Sequence, residues 1–428
     1  MTEHNEHYLR TVRELSDRLV EAQRPIRILD AIKWDGTVRN AFFASGCRVP
    51  PAIDATYYAS KNPLDFDPMD KRSELHEIER DISRNLGQLN PLSALMRRIC
   101  REYSTVVSML ESRGTIDFSL YSEDLYGSAS DVFHVGDPTL ADLGTQMEAT
   151  LINLLRNESM AEATKDISAE SAVAMLNDRL LRVFPDAGIR VLLNDQMTAD
   201  AAAGSDYLKI RSDAMFNQLD IDVLEVHEGW VHLGTTINGS SQPWCTFLGK
   251  GPPSSTTTQE GLAVLTEILT LRSSPTRLYR LVNRVRAVTL AEAGANFVEV
   301  FDYLRGNNLS DDDSYAIAVR VFRGSTPQGR PFTKDLAYMR GFVQTYNFLR
   351  LAMSEGRLDS LPVLYCGKIT LEDLKTYKGL MEEGVIEPPR FVPPHFADLK
   401  GLATWMSFSR FISNLSFDQL QADYSALL

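Results

Sequence analysis

Val226-His227-Glu228-Gly229-Trp230-Val231-His232 lies in an apolar stretch that begins near Ile221, and its reading decides what kind of protein this is. The spacing of apolar residues predicts a helix over residues 221–233. Two of the seven histidines fall here, five positions apart, with a glutamate directly after the first. Zinc peptidases ordinarily set such histidines four apart, because residues at that spacing share a helix face and can grip one ion. Five steps of roughly 100° carry the second imidazole about 140° round a regular helix, which is poor for shared ligation. The segment therefore predicts a distorted turn. One π-type step, with its i to i+5 hydrogen bond, returns both rings to one face, and Gly229 makes that distortion easier.

Two histidines leave a catalytic ion short of a third protein donor. Thr256-Thr257-Thr258-Gln259-Glu260-Gly261-Leu262-Ala263 supplies a carboxylate, Glu260, before or within the first turn of the next predicted helix, residues 261–271. A second His-Glu pair, His76-Glu77, has no further histidine at either spacing and reads as a solvated helix face.

The whole chain is compatible with an enzyme. Its 428 residues are 44% hydrophobic and 24% charged, which describes a folded protein of two or three structural units and excludes collagen-like, low-complexity and disordered classes. A net charge of −13 disfavours nucleic acid as a partner. Cys47, Cys100, Cys245 and Cys366 are too scattered for a disulfide scaffold or a thiolate zinc site, so reduced thiols are expected. The polar start and the lack of a long apolar run predict a cytoplasmic protein with no membrane partner.

Periodicity predicts an α+β fold, mostly helical. Residues 1–180 form a mainly helical N-terminal region, with helices over 8–26, 73–113 broken at Asn90-Pro91, 140–157 and 169–184; residues 47–72 read as an irregular connection. Residues 181–355 form the catalytic region. It opens with short β-compatible runs at 188–193 and 207–211, and a Gly/Pro/Ser/Thr-rich linker at 234–258 precedes further helices at 275–304, 312–321 and 334–354. Residues 356–428 form a C-terminal region of helical periods broken by prolines.

The pairing of His-Glu-Gly-Trp-Val-His with Thr-Gln-Glu-Gly-Leu-Ala is followed by Arg320-Val321-Phe322-Arg323-Gly324 and Phe332-Thr333-Lys334-Asp335, and preceded by Leu125-Tyr126-Gly127. Together these motifs resemble the tyrosine/histidine carboxypeptidase family, whose animal members include a microtubule-associated tyrosine carboxypeptidase and whose bacterial members are often labelled by the Gln-Glu-Gly-Leu-Ala motif and a supposed effect on flavohaemoglobin expression. The resemblance runs from about residue 24 to about residue 350. It implies a zincin-like metallopeptidase unit with zinc as cofactor, held by His227, His232 and Glu260, and with Glu228 as the catalytic carboxylate. Dipeptidyl peptidase III is similar in one respect only, a lengthened helix motif with a later glutamate.

Trimming a C-terminus requires a cation for the terminal carboxylate. Residues 320–350 carry five arginines, one lysine and a single acid, Asp335. Arg323 and Lys334 are the candidates for carboxylate capture, and Tyr338, one helical turn beyond Lys334, is a candidate oxyanion donor. Arg272, Arg277, Arg280, Arg284 and Arg286 read as a solvated helix face. The run 207–211 is the candidate edge strand for extended substrate, with Trp244 and Phe247 as possible pocket walls. The function expected is a zinc-dependent metallocarboxypeptidase acting on peptide or protein C-terminal tails. A zinc aminopeptidase or dipeptidase, or a regulatory protein with a structural metal site, are the alternatives. Because tubulin tails and this chain are both acidic, microtubule binding is not expected.

Overall fold

The computed structural model describes residues 3–412, apart from 158, 159, 161, 196, 198 and 199. The helical periods expected beyond residue 412 lie outside the described residues. What is described is mostly helix with two small sheets.

Helix starts follow local chemistry. Asp67, Asn90 and Ser274 each accept a hydrogen bond from the third helical N–H while a proline fills the first position, starting Pro68–Leu86, Pro91–Glu111 and Pro275–Glu292. The single helix expected over 275–304 is two, because Asn296 and Glu299 form a capping box that restarts the chain as Phe297–Gly306. The irregular connection at 47–72 contains a short helix, Ala55–Lys61, capped by Asp54. The linker expected over 234–258 is also structured. It holds the helix Gly234–Ser240, a 3-10 turn at Thr246–Gly249 and the start of Pro253–Leu269.

β1 (Ile167–Ser168) pairs antiparallel with β5 (Met215–Phe216). β2 (Arg190–Asn194), β3 (Ala201–Ala203) and β4 (Tyr207–Arg211) form a mixed sheet in the order β2-β4-β3. β4 pairs parallel with β2 and antiparallel with β3, so the run 207–211 is central, not an edge. The edge beside the candidate helix is β3, three alanines whose small side chains give little strand signal.

Three apolar clusters hold the elements. One runs from Leu9 through Leu110 and Leu262 to Met406, joining the first helix to the C-terminal segment. A second centres on Phe42, Phe297 and Phe301, and a third on Leu180, Leu208, Ile210 and Leu233. Val231 belongs to the first and Leu233 to the third, so the candidate helix runs along a seam between two cores. Its neighbour Pro253–Leu269 is buried almost all round and crosses Leu336–Ser354 at Gly261 and Gly341. A Cβ on Gly261 would stand 2.2 Å from the Gly341 carbonyl, so the two backbones touch. No described helix is long and apolar enough to cross a membrane, and all four cysteines are free thiols.

Candidate functional site

Asn217 and Asp220 form a capping box that starts an α-helix, Gln218–Leu224; the rod then widens into a π-helix over Glu225–Leu233 and returns to α at Gly234–Ser240. The distortion expected from the histidine spacing is thus present, extended over two turns. Gly229 also has a packing role, since a Cβ there would meet Leu180 Cδ2 at 2.5 Å.

The widened turns bring both imidazoles together, with ring centroids 4.9 Å apart. Glu260, near the middle of Pro253–Leu269 and not in its first turn, joins them from the neighbouring helix. Its Oε2 lies 3.5 Å from Nε2 of His227 and 3.5 Å from Nε2 of His232. Donor atoms of the three residues all lie within 4.8 Å of one another. Separations of 3.5 Å are long for hydrogen bonds, and Glu260 Oε2 is buried with no hydrogen-bond partner. Ligands about 2.1 Å from a tetrahedral ion stand roughly 3.4 Å apart. The triad therefore fits a divalent cation of zinc's size, and the orphaned oxygen is the atom such an ion would satisfy.

Charge is arranged in layers behind the triad. His227 Nδ1 lies 2.6 Å from Glu267 Oε1, and Glu267, with no exposed side-chain surface, is clamped by Arg277 through Nε at 2.5 Å and Nη2 at 2.6 Å. Burial opposes ionisation of Glu267, but Arg277 and His227 outweigh it and hold its pKa down at about 2. Burial likewise opposes charge on His227, yet Glu260 and Glu267 on either side push its pKa up to about 9. Glu260 is held well below the usual carboxylate range: burial works against this, and Lys334, His227 and His232 overcome it.

Glu228 does not join the triad. Its Oε2 accepts a hydrogen bond from the Ala203 N–H of β3 at 3.0 Å. With His232, Glu260 and Lys334 it lines a cavity of about 320 Å³, whose wall also includes Gly204, Lys250, Thr256, Gln259 and Lys368. Lys334 Nζ lies 3.5 Å from Glu260 Oε1.

Other expected residues stand elsewhere. Tyr338 stacks on His227 with centroids 6.4 Å apart and carries the Arg284 guanidinium 5.0 Å above its ring; burial and Glu260 push its pKa up to about 12. Neither Tyr338 nor Arg323 is part of the cavity wall. Arg323 lies over Phe332, its Nε buried without a partner, and burial together with Arg320 lowers its pKa to about 10. Trp244 and Phe247 pack into the large apolar cluster and are not part of this cavity's wall. The arginine run expected to be solvated instead faces inward. Arg272 pairs with Glu225, Arg277 with Glu267, Arg280 with Glu162 and Arg286 with Glu148, while Arg284 leans toward Asp335. Their acids come from distant segments that helical spacing cannot register. His76 is exposed and pairs only with Glu79, as a solvated face requires.

Sequence reasoning missed Glu267, Arg277, Gln259 and Lys368. Glu267 had a signal, since it lies two turns after Glu260 on one helix face. Lys368 had none, because it arrives from residues 356–428. It donates to the His232 carbonyl and to Gln259 Oε1, each at 2.9 Å, and burial lowers its pKa to about 8.

No curated protein matches this chain. A family model described as microtubule-associated tyrosine carboxypeptidase matches residues 40–414, a span that includes the triad, Glu228 and the whole cavity wall. The chain belongs to the microtubule-associated tyrosine carboxypeptidase family.

Proposed function

We propose that this protein is a zinc-dependent metallocarboxypeptidase that hydrolyses the C-terminal peptide bond of peptides or protein tails. The observation that carries the reading is the convergence of His227, His232 and Glu260 beside a cavity that also holds Glu228. Two imidazoles and one carboxylate suit zinc, and three protein donors leave a position open, where a structural site would fill all four. When bound, the ion would lower the pKa of water and polarise the scissile carbonyl.

The chain's own groups supply the rest. Glu228, held by the Ala203 N–H, accepts the proton of the attacking water and passes it to the leaving amine. The outer edge of β3 offers backbone groups to an extended peptide. Lys334 keeps Glu260 ionised and adds positive charge to the cavity. Arg323 and Tyr338 act from behind the wall as positioning groups. The family is named for removal of tyrosine, and that preference is part of the proposal. Microtubule binding is not, because no feature of this acidic chain calls for it.

Elemental analysis and mass spectrometry of digested peptides test the reading. Zinc at about one per chain, with loss of a single C-terminal residue that Glu228→Gln abolishes without releasing the metal, is the expected result. Tight zinc binding with no peptide shortened would defeat it.

A further inference from the structure

The cavity beside Glu228 has no Phe, Tyr, Trp or large aliphatic side chain in its wall. Three lysines line it, Lys250, Lys334 and Lys368. Lys334 is engaged with Glu260. Lys368 donates only to neutral acceptors, and no carboxylate of the described residues lies within ion-pair distance of it or of Lys250. Glu260 and Glu228 act on Lys368 only from beyond ion-pair distance, and an ammonium with no direct ion pair in a partly closed site attracts an anion.

Gln259 points to the same conclusion independently. An ammonium can only donate, so the contact with Lys368 at 2.9 Å fixes the amide with Oε1 toward the lysine and Nε2 away from it. That Nε2 is buried, lies in a residue of the cavity wall, and has no acceptor among the described residues. Gln259 is only 4% exposed. A buried amide donor left unpaired is costly, and an acceptor that reaches it through this wall would remove that cost.

We infer that Gln259 and Lys368 together receive a carboxylate of the substrate, with Lys250 adding positive charge to the same wall. This deepens the peptidase reading and rests on it for the word substrate. Two sources share the chemistry: the chain-terminal carboxylate, and the side chain of an aspartate or glutamate near the scissile bond. Charge-assisted hydrogen bonds and the lack of an apolar surface on this wall both suit a carboxylate. Carboxylate capture, expected of Arg323 and Lys334, thereby moves from Arg323, which lies off the wall, and Lys334, which is engaged with Glu260, to a residue pair contributed by the helix Pro253–Leu269 and the C-terminal segment.

Calorimetric titration in a zinc-loaded Glu228→Gln background tests this without relying on turnover. The probes are acetyl-Ala-Ala-Glu-Tyr as free acid, as terminal amide, with glutamine replacing glutamate, and with both changes. Loss of the recognised carboxylate is expected to weaken binding at least about tenfold, the scale of a charge-assisted hydrogen bond. Whichever neutral probe suffers that loss identifies the source. Lys368→Met should bring the charged and neutral probes to near equality, and Lys368→Arg, which keeps the charge, should restore part of the discrimination. Equal weakening of all four probes by Lys368→Met, unchanged discrimination in that variant, or no binding of any probe would each overturn the inference. Digestion by the unsubstituted protein separates the two readings. Carboxylate-selective binding without cleavage sinks the peptidase and leaves the pocket, whereas cleavage indifferent to Lys368 does the reverse.

Discussion

Glu267 and His227 form a buried pair, Oε1 to Nδ1 at 2.6 Å, on the side of the imidazole away from Glu260. The contact fixes the orientation of the ring and directs Nε2 at the triad. Arg277 completes the chain of charges, so the position of a candidate metal donor depends on a salt bridge one layer deeper.

Glu267→Gln should therefore lower zinc affinity by about 10–100-fold, the usual scale for groups that orient a ligand. Competition against a fluorescent chelator would measure it. An unchanged affinity would show that His227 is held by its helix alone.

The crossing of Gly261 and Gly341 leaves no room for a side chain, since a Cβ on Gly341 would lie 1.9 Å from the Thr257 carbonyl oxygen. Gly341→Ala should cost at least about 1–3 kcal/mol by overpacking and should weaken metal binding, because the shifted helix carries Glu260. Chemical denaturation read alongside metal content would show both. A stable variant with full zinc would refute the tight crossing.

Asp335 is the acid shared by Arg320, bidentate at 2.6 and 2.8 Å, and Arg284 at 3.9 Å. Arg320 and Arg284 together hold its pKa far below the usual carboxylate range against the effect of burial. Asp335→Asn should cost about 3–5 kcal/mol, since it leaves buried guanidinium groups uncompensated. Thermal melting would report the loss, and a drop of only a degree or two would mean that water already screens the cluster.

His395 stacks on Trp230 of the π-helix, and neither of its ring nitrogens has a hydrogen-bond partner among the described residues. Burial lowers its pKa to about 4, below the roughly 6.5 of an unfolded chain. Protons thus bind the unfolded state more readily, so this contribution to stability is complete above about pH 6.5 and is lost as pH falls toward 4. Urea titrations at neutral and mildly acid pH should show a decline that His395→Phe reduces. Equal pH dependence in both proteins would contradict it.

Much of the local order was legible from residue spacing. The capped helix starts at Asn90-Pro91 and Ser274-Pro275, the helix through His227 and its need for a π-type step all follow from short-range sterics and hydrogen bonding, which neighbouring residues determine. The pairing of His227 and His232 with Glu260 was legible because separated motifs in one order carry chemistry that few arrangements satisfy. The three alanines of β3 were not, since they form a strand only by pairing with β4.

Which way a charge points was decided by the fold. Helical spacing says that Arg277 and Arg284 share a face, but the acids that turn that face inward come from other helices. Lys368 reaches Gln259 across more than a hundred residues of chain. Local patterns set the elements and the candidate donors for a metal, while the orientation of the charges behind them and the shape of the cavity emerged only when distant segments packed, because burial makes an unpaired charge costly and favours packings in which most charges find a partner in space.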